Sequence, residues 1–115
     1  MNEESQAVRV PTGDQVAVAV DTFRMLADAT RVRILWVLRD AERSVTELAE
    51  LTGASPTAVS QHLAKLRLAG LVRPRRQGTH AFYSLADTHV AQLLEEALFH
   101  ADHRVSGHPD HPRTR

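Results

Sequence analysis

The sequence predicts a mainly α-helical domain with one small β-hairpin, on three observations. Apolar residues recur at helical spacing over most of residues 14–103. Two sharply capped helices follow each other across a turn of only four residues, Thr52-Gly53-Ala54-Ser55. Two short β-prone runs then flank an arginine-rich turn. At 115 residues the chain is the size of one domain, and 43% hydrophobic with 24% charged is ordinary globular composition, which excludes disordered, collagenous and repeat classes.

Residues 1–13 read as a flexible tail ending in Pro11-Thr12-Gly13. Val16, Ala19, Val20, Phe23, Leu26 and Ala27 then define a first helix. Thr30 is the expected N-cap of a second helix, residues 31–39, with Ile34, Leu35 and Leu38 toward the core and Trp36 beside them. Ser44-Val45-Thr46-Glu47 is a capping box opening a short helix that Gly53 closes. Ser55 as N-cap and Pro56 at the first helical position open the next, which runs to Gly70 with Val59, Leu63 and Leu66 as its stripe. Residues 71–73 and 81–85 read as strands around Arg75-Arg76-Gln77-Gly78-Thr79. Asp87 caps a last helix, to about His103, expected to bury Val90, Leu93, Leu94, Ala97, Leu98 and Ala101. Residues 104–115, punctuated by Gly107, Pro109 and Pro112, form a second, His-containing flexible tail.

The 14 Lys and Arg cancel the 14 Asp and Glu, and a formal net charge of zero taken alone speaks against a nucleic-acid partner. Position reverses that inference. No acidic residue lies between Glu50 and Asp87, while Lys65, Arg67, Arg73, Arg75 and Arg76 all fall in the gap, so residues 51–86 carry +5 and the rest −5. Zero cysteines exclude disulfides, thiolate metal sites and cysteine nucleophiles. No apolar run reaches the roughly 18 residues a membrane span needs, and the acidic, polar start is no signal sequence, so a cytoplasmic protein is expected.

Two helices joined by a four-residue turn and followed by a basic hairpin make a helix-turn-helix with a wing. Off the apolar stripe of the second helix stand Thr57, Ser60, Gln61 and Lys65, donors and acceptors suited to base edges or phosphates in a major groove. Ser55 at the cap, with the helix dipole behind it, favours a phosphate. His62 reads either as a phosphate contact or as packing at the domain's edge. Arg75, Arg76 and Thr79 of the hairpin suit a minor groove or the backbone there. Double-stranded DNA is the expected partner.

Five of the seven histidines lie after residue 88. Asp87 and His89 open the last helix, and His100 and His103 close it. Eleven residues from His89 to His100 are three turns and about 20° more, so the two pairs share a flank but stand about 16 Å apart. One ion cannot take all four from one helix. The geometry closes when a second copy runs antiparallel alongside, giving two equivalent sites in a two-fold dimer. The same spacing also suits exposed histidines on a polar face, with Asp87 simply a cap.

These residues also carry a resemblance. Residues 35–38, Val45-Thr46-Glu47-Leu48-Ala49, Ser55-Pro56-Thr57-Ala58-Val59-Ser60-Gln61-His62-Leu63 and Leu66-Arg67-Leu68-Ala69-Gly70-Leu71-Val72 resemble the ArsR/SmtB winged-helix repressors, a likeness spanning roughly residues 20–103. It implies a homodimer on a palindromic operator, released by an inducer. Asp87-x-His89 with His100-x-x-His103 resembles the inter-subunit site of the family's zinc- and nickel/cobalt-sensing members, the nickel/cobalt sensors above all. The family's other site, a cysteine motif on the first helix of the helix-turn-helix, has no thiol here. Nickel or cobalt is therefore the expected cofactor, with zinc the alternative. Zinc is satisfied by four ligands, whereas nickel and cobalt commonly accept six, for which His108 and His111 are the spare donors.

Three other readings compete: a winged-helix regulator that senses no metal, a small metal-dependent hydrolase with Glu95 or Glu96 as base, and a metal-storage protein. The second lacks a substrate cradle, and the third leaves the acid-free block unexplained. The expectation is a regulator and not an enzyme.

Overall fold

The computed structural model describes residues 8–107. In chain order the elements are α1 (Gly13–Leu26), α2 (Ala29–Val37), β1 (Arg43–Ser44), α3 (Val45–Thr52), α4 (Pro56–Leu68), β2 (Val72–Gln77), β3 (His80–Leu85) and α5 (Thr88–Ser106). The mainly α winged helix-turn-helix is the observed architecture, with one addition. The hairpin is part of a three-stranded antiparallel sheet in the order β1-β3-β2.

Helix starts follow local chemistry closely. Ser44 and Glu47 form the expected reciprocal capping box. Ser55 accepts from the Ala58 N–H at 3.1 Å, with Pro56 behind it. Gly53 ends α3 at φ +80, a left-handed conformation that costs glycine no Cβ clash. Two starts differ. Thr12 and Gln15 form a capping box that begins α1 at Gly13, inside the expected tail. Asp28, rather than Thr30, caps α2 by accepting from Arg31 N–H at 2.9 Å. Ala27 and Asp28 are the whole connection between α1 and α2, so the cap falls at the first extended residue.

The hairpin is tighter than the sequence suggests. Gln77 pairs with His80, so Gly78 and Thr79 alone form the loop, and Arg75 and Arg76 lie on the strand. Gly78 at φ +61 in the first loop position suits a type II′ turn. β1 pairs Arg43 with Tyr83 and Ser44 with Phe82. α5 continues to Ser106, three residues beyond the expected end, and closes on left-handed Gly107.

The core joins α2, α3, α4, the start of β2 and α5 through Ile34, Leu35, Leu38, Leu48, Val59, Leu63, Leu66, Leu71, Val72, Val90 and Leu94. α1 contributes no fully buried residue. Its Val16 (46% exposed), Val20 (39%) and Phe23 (59%) stay open, and so does Leu93 of α5 (36%). Here the expectation for α5 is corrected: only Val90 and Leu94 are buried, Leu98 and Ala101 are half-buried, and Leu93 and Ala97 are exposed. The periodicity identified apolar stripes, but one chain does not supply enough partner surface to cover them.

Candidate nucleic-acid interface and metal ligands

The turn held by Gly53 sets α4 across α3, and burial of Val59, Leu63 and Leu66 fixes its rotation. That rotation exposes Ser55, Thr57, Ser60, Gln61 and Lys65, as needed to enter a groove N-terminus first. Arg67 is exposed as well. With Ser60, Ala64 and Tyr83 it lines a cleft of about 450 Å³ between α4 and β3. The signal was available, since positions 60, 64 and 67 share one helical face.

His62 points elsewhere. It is largely buried, its Nδ1 3.3 Å from Arg31 Nη1 and its Nε2 3.9 Å from Asp28 Oδ2. Of the two readings open for this side chain, packing at the domain's edge is the one the geometry favours. Arg31 extends the same junction by donating from Nε to Met25 O at 2.7 Å. The Arg31 backbone N–H holds the Asp28 carboxyl below its ordinary value against the opposing effect of desolvation, with help from the Arg31 and His62 charges. His62, Arg31 and Asp28 thus fasten α4 to the α1–α2 corner.

On the wing, Arg76 and Thr79 are exposed. Arg73 donates to the Ala86 carbonyl. Arg75 is not free: its Nη2 lies 2.9 Å from Glu42 Oε1, and its Nε 3.1 Å from each carboxylate oxygen. The acid-free block is therefore acid-free only in sequence, because the chain folds Glu42 of the α2–β1 connection onto the hairpin.

The four expected metal ligands occupy the two ends of α5. Asp87 accepts from the backbone N–H groups of His89 (2.9 Å) and Val90 (3.2 Å), both at Oδ1, so no cap bond uses Oδ2. His89 and His100 are exposed, and the His103 ring lies 4.4 Å from that of Phe99. Among the described residues no three His, Asp or Glu side chains gather within one chain to hold an ion. The donors are nitrogen and oxygen only, a set that suits nickel, cobalt or zinc. His108 and His111 lie outside the described residues. α5 is tied to the body by Arg39, whose Nη1 lies 2.9 Å from Glu95 Oε2 and whose guanidinium stacks 3.4 Å over Trp36.

The family described as bacterial regulatory protein, arsR family, matches residues 28–73, from the α2 cap to the start of the wing. The transcriptional regulator KmtR of Mycobacterium tuberculosis is 58% identical over 100 residues, 87% of this chain and 77% of that protein. The chain belongs to the ArsR family. Its architecture is that of a DNA-binding transcriptional regulator, a family of regulators and not of enzymes. A second relative, the regulator NmtR of the same organism, is 46% identical over 104 residues, 89% of this chain and 87% of its own length. Among solved structures, the homodimeric winged helix-turn-helix DNA-binding domain of Mb0332 from Mycobacterium bovis superposes with a TM-score of 0.75 at 30% identity, covering 91% of this ArsR-family chain and all of that one. No helix among the described residues is long and apolar enough to cross a membrane.

Proposed function

We propose that this chain is a metal-responsive repressor whose homodimer binds a palindromic operator without metal and releases it when nickel or cobalt binds between the α5 helices. The observation that carries the reading is the arrangement of α5. Asp87 and His89 stand at its start and His100 and His103 at its end, too far apart to share an ion within one chain, beside apolar stripes on α1 and α5 left uncovered. A second copy running antiparallel covers the stripes and brings Asp87 and His89 against His100 and His103 of the partner subunit. The homodimeric assembly of the structural neighbour supports that arrangement.

Each residue has a distinct task in this reading. Ser55, Thr57, Ser60, Gln61 and Lys65 meet the major groove, with Arg76 and Thr79 at the adjacent backbone. His89, His100 and His103 offer neutral imidazole nitrogens, and Asp87 offers Oδ2 while Oδ1 caps the helix. Metal favours a dimer shape whose half-site spacing fits the operator poorly. The coupling is reciprocal, so operator DNA weakens metal binding by the same factor, typically ~1 to 3 kcal/mol.

Titrating nickel, cobalt and zinc into the protein–operator complex tests this. Operator release by nickel or cobalt is expected, and an affinity unchanged by all three overturns the metal reading and leaves a regulator that senses something else. The zinc alternative is separated by the cobalt(II) spectrum, since intense d–d bands mean four ligands and weak bands six. Metal in the six-coordinate case recruits donors beyond the four, for which His108 and His111 are the candidates.

A further inference from the structure

We infer that Glu42 is a built-in competitor for DNA phosphate, occupying Arg75 so as to hold down this regulator's sequence-independent affinity for duplex DNA. The Arg75 guanidinium meets the carboxylate through Nε and Nη2 at 2.9 to 3.1 Å, and Nη1 donates to Gln77 Oε1 at 3.1 Å. The Phe82 ring lies 5.2 Å beneath it. This fork is the geometry with which arginine grips a phosphate. Both side chains are about half exposed, Arg75 at 50% and Glu42 at 40%, so a phosphate reaching Arg75 exchanges one anion for another.

The pairing is selective. Among the described residues, Lys65, Arg67 and Arg76 have no carboxylate within ion-pair distance, whereas Arg75 receives one from 33 positions earlier in the chain. Each partner's protonation responds as a formed pair requires, chiefly through the side-chain hydrogen bond: the Glu42 carboxyl is lowered from its ordinary value and the Arg75 guanidinium raised.

The consequence follows from counterion release. A protein cation that neutralises a phosphate frees a condensed counterion, which steepens the salt dependence of binding by about 0.9 per contact. While Arg75 stays paired with Glu42 it neutralises no phosphate, so it adds nothing to counterion release. With glutamine at 42 its contact with a phosphate counts in full.

The experiment measures binding to a mixed-sequence duplex by fluorescence anisotropy across a salt series, without metal, for wild type, Glu42→Gln, Glu42→Ala, Arg75→Ala and the Glu42→Gln/Arg75→Ala double variant. Both Glu42 variants are expected to bind more tightly, with a log–log salt slope steeper by about 0.9. Their advantage should shrink about 3.5-fold from 50 to 200 mM salt. The double variant should match Arg75→Ala. Weaker or unchanged binding by the Glu42 variants overturns the inference, weaker binding meaning that Glu42 instead positions Arg75. A gain that survives in the Arg75→Ala background also overturns it, because the effect would then be general loss of an anion.

Discussion

Asp87 is asked to do two things, and two substitutions separate them. As a cap its Oδ1 accepts two backbone N–H groups at the start of α5, at 2.9 and 3.2 Å. Asp87→Ala removes both bonds, which costs about 1 kcal/mol for a typical cap. A further ~0.3 to 1 kcal/mol goes with the carboxylate's attraction to the helix dipole. At this chain length 1 kcal/mol lowers the unfolding temperature by about 4 °C. Asp87→Ser keeps a good cap and gives up only the dipole share, so in chelator the order of stability is wild type, then Ser, then Ala. Metal reverses the lesson. At a nickel or cobalt concentration a hundredfold above Kd, wild type gains about 2.7 kcal/mol, whereas a site weakened a hundredfold retains about 0.4 kcal/mol. Both variants should therefore lose most of the metal-induced shift, measured by differential scanning fluorimetry at one fixed protomer concentration. An Asp87→Ser protein stabilised by nickel and cobalt as strongly as wild type would refute the ligand role and leave Asp87 a cap. An Asp87→Ala protein as stable as wild type in chelator would refute the cap.

Three further outcomes are expected. Asp28 has a carboxyl lowered from its ordinary 3.8, so its contribution to stability is complete above that value and is lost as pH falls through the lowered one. Asp28→Asn, which keeps a cap, should flatten that acid limb in urea unfolding measured at successive pH values below 5, and identical limbs would count against the charge. Arg39→Ala removes an ion pair to Glu95, a hydrogen bond to Trp36 O and a stacked guanidinium, about 1.5 kcal/mol together, whereas Glu95→Gln removes only a partly exposed ion pair, about 0.5 kcal/mol. Equal losses on denaturant unfolding would mean that neither the Trp36 stack nor the hydrogen bond to Trp36 O contributes. On α4, Leu63→Ala should cost ~2 to 5 kcal/mol because the side chain is fully enclosed. Gln61→Ala, two residues away and exposed, should leave the unfolding midpoint within about 0.5 kcal/mol and weaken only operator binding, by ~1 to 3 kcal/mol if Gln61 reads a base.

What the sequence made legible was whatever is decided within a few residues. The Ser44-Glu47 box, the Gly53 stop, the Ser55-Pro56 start and the Asp87 cap all lie within one helical turn of the groups they satisfy, so residue type and spacing suffice. Asp28 and Thr30 show the limit of that logic. Both are competent caps, and the choice depends on where α1 stops, which is set by packing at Met25 and Leu26. β1 escaped notice because its two residues acquire strand character only by pairing with Phe82 and Tyr83, about forty positions on. α5 buries less than its stripe implies for a related reason: a periodic apolar stripe specifies that something covers it, and in the proposed dimer the covering surface belongs to another chain.

The same distinction between sequence distance and spatial distance governs the charge. A +5 block between two acidic flanks looks like a clean anion-binding face. In three dimensions Glu42 crosses from the acidic side and takes Arg75, while Asp28 closes on His62 at the back of α4. The unpaired positive charge is thus smaller than the block suggests, and Lys65, Arg67 and Arg76 are among the side chains that carry it without an ion pair. A divalent cation between the α5 helices would add positive charge to the dimer, and charge alone would then strengthen DNA binding. In the proposed repressor, release on metal binding must accordingly come from geometry. The contacts available to carry it are the ones that join α5 to the body: Val90 and Leu94 in the core and Glu95 on Arg39, three residues before the carboxylate that holds the wing arginine.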